Sequence, residues 1–125
     1  MPKLKVLIAE DSKPMHIFYR SALSDVLFEQ KIAPDGDQAM AEYQQWQPDI
    51  VLLDMNMPVM NGYQTLKAIR EQHQDKNTTI IMVTSASEKN DVIACAKLGI
   101  QGYIVKPFKA EALNEAVLRY HKQKK

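Results

Sequence analysis

The chain has one cysteine, Cys95, so no internal disulfide can staple it. That suits a reducing compartment. Its 16 Lys and Arg nearly cancel 15 Asp and Glu, and the net charge of +1 offers no broad field for nucleic acid or an anionic membrane. Long apolar runs are also missing. Val6 to Ala9 supplies only four such residues before Glu10, too few for a signal peptide or a spanning helix. No repeat, low-complexity tract or linker interrupts the chain. His16, His73 and His121 are scattered and make no metal-binding spacing. These absences predict one cytoplasmic domain over residues 1–125, with no output domain in this chain. What is present fits that size. The composition is 46% hydrophobic, enough for 125 residues to bury a core unaided.

The central stretch is Ile50 to Asp54, four aliphatic residues running into a carboxylate. An unalternating run suits a strand buried on both faces, as in a parallel sheet under helices. Other segments repeat the pattern. Val6 to Ala9 is a strand ending at Glu10-Asp11, and Ser12 can cap a helix with Pro14 in its first turn. Met15, Phe18, Ala22 and Val26 extend that helix to about Phe28. Gln30 to Ala33 is a short strand, then a turn at Pro34-Asp35-Gly36. The second helix faces Ala39, Met40, Tyr43 and Trp46 inward and ends at Gln47-Pro48. The third runs from about Gly62 to His73 with Tyr63, Leu66 and Ile69 as its stripe. Thr79 to Thr84 is the fourth strand. Ser87 can cap a helix from Glu88 to Leu98, stopped by Gly99. Gly102 to Val105 is the fifth strand, ending at Lys106-Pro107, and Leu113, Ala116, Val117 and Tyr120 mark the last helix. Five βα units imply an α/β fold, a five-stranded parallel sheet with helices on both faces.

Ligands of such sheets bind at the carboxyl edge of the strands. Here that edge collects Glu10, Asp11, Asp54, Thr84, Ser85 and Lys106. Three carboxylates at one place repel one another, so one rises in pKa or a cation joins them. An all-oxygen set suits Mg²⁺. A lysine and a hydroxyl beside it can contact a phosphoryl group, and together these groups can stabilise one in transfer.

The residues that carry a family resemblance are Glu10-Asp11, the segment Asp54 to Gly62, Thr84 followed by a small residue, and Lys106-Pro107-Phe108. With these, essentially the whole chain resembles a CheY-like receiver domain of two-component response regulators. The resemblance implies a (βα)5 flavodoxin-like sheet of order 2-1-3-4-5. It implies that Asp54 accepts a phosphoryl group from a sensor histidine kinase or a histidine phosphotransfer protein. Asp11, Asp54 and the backbone carbonyl of Asn56 are then the ligands of Mg²⁺ or Mn²⁺, and Glu10 acts through a bound water. Lys106 pairs with Asp54, Thr84 turns to the phosphoryl group, and Lys106-Pro107 is a cis peptide. Tyr103 is the switch aromatic. Its movement remodels the face made by the fourth helix, fifth strand and last helix, where Lys89, Val92 and Tyr103 meet a downstream protein. On this reading the chain is no enzyme beyond promoting its own phosphorylation and dephosphorylation. It is a monomer or a weak phosphorylation-dependent dimer, with no direct contact to nucleic acid or membrane. Ala86, two residues after Thr84, offers no polar group to steer an attacking water.

Two alternatives accompany this one. The chain is a receiver excised from a larger regulator or hybrid kinase, or it is a Mg²⁺-dependent phosphatase with an Asp nucleophile. The latter class uses a second Asp two residues after the first, where this chain has Asn56.

Overall fold

The computed structural model describes residues 2–85 and 87–122. Five strands, β1 (Leu4–Ala9), β2 (Phe28–Ala33), β3 (Ile50–Asp54), β4 (Thr79–Ser85) and β5 (Gly102–Lys106), pair in parallel in the order β2-β1-β3-β4-β5. The helices between and after them are α1 (Lys13–Ala22), α2 (Gly36–Trp46), α3 (Gly62–Lys67), α4 (Lys89–Leu98) and α5 (Ala110–Lys122). A π-helical turn, Ala68–Gln72, continues α3. Among the described residues no helix is long and apolar enough to cross a membrane.

Strand pleating divides the core in two, because successive side chains point to opposite faces. Leu7, Val51, Leu53, Ile80 and Met82 pack with Ala39, Met40 and Tyr43 of α2, Leu66 of α3, Ile69 beyond it and Cys95 of α4. Val6, Ile8, Ile50, Leu52, Ile81 and Val83 pack with Tyr19 of α1 and with Leu113 and Val117 of α5. The continuous apolar runs follow from this double burial. Cys95 is fully buried and burial pushes its thiol up to about 11, so it is a core residue.

Several boundaries differ from the sequence expectation, most of all around the first helix and the start of the fourth. The first helix stops at Ala22, not near Phe28, and β2 begins at Phe28, two residues before Gln30. Asn114 of α5 causes the stop: its amide donates to Ala22 O at 3.0 Å, and its Oδ1 accepts from Ser24 N at 2.9 Å. Ser24 Oγ then accepts from the N–H groups of Val26 and Leu27, and Val26 is left 77% exposed. Ser87 does not cap α4; Glu88 occupies the cap position. Trp46 is only partly buried, with Lys5 and Lys31 ammonium groups 5.7 and 5.1 Å from its ring centre.

Candidate functional site

Strand register assembles the site. Ala9 of β1 lies opposite Leu53 of β3, so the next residues, Glu10 and Asp54, emerge side by side. Asp54 lies opposite Val83 of β4, and Ser85 opposite Lys106 of β5. β1, β3, β4 and β5 therefore bring polar residues to the same edge. Ligand oxygens of Glu10, Asp11 and Asp54 lie within 4.8 Å of one another. Glu10 and Asp54 are buried, and Asp11 is exposed.

Local structure holds these groups. Ser12 caps α1, accepting from Met15 N, while its own N–H donates to Glu10 Oε2 at 3.1 Å. His16, one turn on, contacts the Glu10 carbonyl through Nε2. Behind Asp54 the chain turns and re-enters α3 through an Asn61–Gln64 capping box. A Cβ on Gly62 would stand 2.3 Å from Asp54 O, so only glycine lets α3 begin against the strand end. The Lys106–Pro107 peptide is cis, as the resemblance implied.

The electrostatics follow from crowding. Burial pushes the Asp54 carboxyl up and the Glu10 charge adds to this; Lys106 opposes both, and the net value is about 7. Lys106 Nζ lies 3.4 Å from Asp54 Oδ2 and 3.1 Å from Glu10 Oε1. Burial alone lowers the ammonium pKa, but these two carboxylates outweigh it and raise it.

Thr84 is buried at the end of β4, and its hydroxyl donates to Glu88 Oε1 at 2.9 Å. Tyr103 is 48% exposed on β5, and its carbonyl accepts from Tyr120 OH at 3.2 Å. Lys89, Val92 and Tyr103 are brought together along one groove of about 430 Å³ between α4 and β5. Val92 is half-buried there, and its neighbour Ile93 is exposed. Asn56 follows Asp54 directly in space, its N–H 3.5 Å from Asp54 Oδ1. Ala86 lies outside the described residues.

Sequence reasoning missed Glu88 and His16. Glu88 joins Asn56 to Thr84 and Ser85, but in the sequence it is an ordinary acid at a helix start. The only signal for His16 is its place one turn after the Ser12 cap.

Comparison with known proteins agrees with this geometry. The response regulator receiver domain family matches residues 6–118. The chain is 33% identical over 115 residues to the chemotaxis protein CheY of Pseudomonas aeruginosa, covering 91% of this chain and 93% of that one. It is 35% identical over 113 residues to CheY-3 of Vibrio cholerae, covering 90% and 87%. The solved structure of the chemotaxis response regulator CheY4 of Vibrio cholerae superposes with a TM-score of 0.87 at 34% identity, covering 95% of this chain and 99% of that one. With the family matched over residues 6–118 and CheY relatives over nine-tenths of its length, the chain belongs to the response regulator receiver domain family.

Proposed function

We propose that this receiver accepts a phosphoryl group on Asp54 from a histidine kinase or histidine phosphotransfer protein and signals through a protein-docking face. The observation that carries the reading is the convergence of Glu10, Asp11 and Asp54 with Lys106 in contact. An Asp54 carboxylate oxygen forms the new P–O bond as the donor's P–N bond breaks. The bonding pair leaves with the imidazole nitrogen, which takes a proton from solvent. Lys106 sits where its ammonium can pass from the Asp54 carboxylate to a phosphoryl oxygen. Thr84 supplies a second donor once its hydroxyl turns.

The donor set fits a hard cation, since all three side chains offer oxygens within 4.8 Å of one another. Asp11, Asp54 and the Asn56 carbonyl would hold Mg²⁺ or Mn²⁺, with Glu10 acting through a water. When bound, the ion neutralises charge on the transferring group. The chain's own residues do the rest: Glu10 and Asp11 gather the charge, and Lys106 orients the acceptor. The chain turns over no separate substrate on this reading; it promotes only its own phosphorylation and dephosphorylation.

Output follows from Thr84 and Tyr103 sharing the groove between α4 and β5. Reorientation of the Thr84 hydroxyl changes what the Tyr103 ring packs against, and the α4-β5-α5 face changes with it. The test is incubation with Mg²⁺ and a small acyl phosphate, followed by intact mass. One phosphoryl gain, absent in Asp54→Asn, is expected. Steady hydrolysis of phosphate esters with no retained phosphoryl group would overturn the reading.

A further inference from the structure

Glu88 ties together the two loops that flank Asp54. It stands at the cap position of α4, yet it makes no side-chain capping bond to that helix. Its carboxylate instead turns back over the sheet edge. Oε1 accepts from Thr84 Oγ1 at 2.9 Å, from Ser85 N at 2.8 Å and from Ser85 Oγ at 3.0 Å. Oε2 accepts from the side-chain amide of Asn56, 32 residues away on the loop after β3, at 2.5 Å.

We propose that Glu88 is a latch that holds the Thr84 hydroxyl and the Asn56 amide in the unphosphorylated arrangement. It is thus a positioning residue for phosphoryl acceptance. The inference rests on the function proposed above.

A hydroxyl has one proton to donate. While Thr84 gives it to Glu88, a phosphoryl oxygen on Asp54 cannot receive it. The competing acceptor is an ionised carboxylate, which binds a donor more strongly than a neutral oxygen does. A phosphoryl group brings further negative charge to the edge of the sheet, so Glu88 and the modification compete for the same donors. Capping α4 does not require the bond to Asn56, on a different loop. That bond makes Glu88 a bridge across the site mouth.

Beryllium fluoride with Mg²⁺ serves as the phosphoryl stand-in, its affinity read by fluorine NMR. Glu88→Ala is expected to bind it about tenfold more tightly, the worth of one hydrogen bond to a charged acceptor. Glu88→Gln keeps the shape, loses the charge and gains less. In a Thr84→Val background the Glu88→Ala gain is expected to shrink to about twofold or less, because the two residues act through one bond. A purely structural Glu88 would show no such dependence on Thr84. Unchanged or weaker affinity in both Glu88 variants, with cooperative unfolding retained, overturns the latch, as does an equal gain in the Thr84→Val background. If Glu88→Ala fails to fold, Glu88→Gln decides by the same comparison. If the unaltered chain neither binds the analogue nor gains a phosphoryl group, the function itself fails and the latch with it. Should the unaltered chain do both while the variants match it, only the latch falls.

Discussion

Lys106 Nζ stands between two buried carboxylates, 3.1 Å from Glu10 and 3.4 Å from Asp54; Asp54 and Lys106 end β3 and β5, and Glu10 directly follows β1. One ammonium cannot fully offset two desolvated acids with a third close by, so Asp54 is destabilised as an anion.

This sets a pH dependence in the metal-free protein. Burial first, then the Glu10 charge, raises the Asp54 carboxyl to about 7 from an ordinary 3.8. Between those values the folded chain binds more protons at Asp54 than the unfolded chain does. Stability therefore falls as pH rises through that window. Asp54→Asn removes the acid and flattens the slope. Urea unfolding in EDTA at intervals from pH 4 to pH 8 measures it. Equal slopes for the two proteins would contradict the prediction.

A divalent cation acts on the same crowding with the opposite sign. On the proposed function it would bind the folded carboxylate cluster, and it has no preformed site in the unfolded chain. Mg²⁺ at a hundredfold excess over its dissociation constant should add about 2.7 kcal/mol. Asp11→Asn leaves the buried acids in place but removes a proposed ligand, and should lose most of that increment. Unfolding midpoints with Mg²⁺ and with EDTA give the comparison. A midpoint indifferent to Mg²⁺ in the unaltered chain would refute the site.

The ends of β1 and β3 were legible because four apolar residues buried on both faces run straight into a carboxylate. Glu10 and Asp54 mark those points, and Lys106 closes the half-exposed β5. The end of α1 was not legible. Val26 continues the helical spacing, and the stop comes from Asn114, 90 residues on. Glu88 was hidden for a related reason: its partners lie on another loop, and nothing local sets it apart from an acid at a helix start. The groove between α4 and β5 was legible in Lys89, Val92 and Tyr103, which all line it. Ile93, which also lines it and is turned outward by α4, was not. The π-turn after α3 was invisible too. Its Arg70 turns inward to the carbonyls of Gly99, Asp75 and Thr78, contacts that no spacing rule reports.

The groove is backed by a close contact between β5 and α5. A Cβ on Gly102 would meet the Tyr120 ring at 2.4 Å. Near-ring atoms cannot swing clear without moving the helix, and Tyr120 OH also holds the Tyr103 carbonyl. Gly102→Ala should cost about 2 kcal/mol through overpacking. In a Tyr120→Ala background the same substitution should cost less than about 0.5 kcal/mol, since the space is already open. Chemical denaturation of the four proteins closes the cycle. Additive losses would show that the ring is not the obstacle.

The opposite edge of the sheet carries a second carboxylate whose sign differs from that of Asp54. Burial alone pushes Asp75 up. Hydrogen bonds from the Thr78 hydroxyl, Tyr43 OH and the N–H groups of Thr78 and Asn77 outweigh it and hold the carboxyl well below the usual range. A depressed folded pKa gives stability that is present above the ordinary carboxylate value and is lost as pH falls toward the folded one. Asp75 is half-exposed, so solvent screening discounts the contribution. At neutral pH, Asp75→Ala should cost about 2 kcal/mol, leaving the buried Thr78 and the Tyr43 hydroxyl without their acceptor. The gap between the two proteins should narrow below about pH 4, as the carboxyl takes a proton in the unfolded chain while the folded one stays ionised. Unfolding curves at pH 7 and pH 3 test it. A gap that stays constant across that range would mean Asp75 contributes through packing alone.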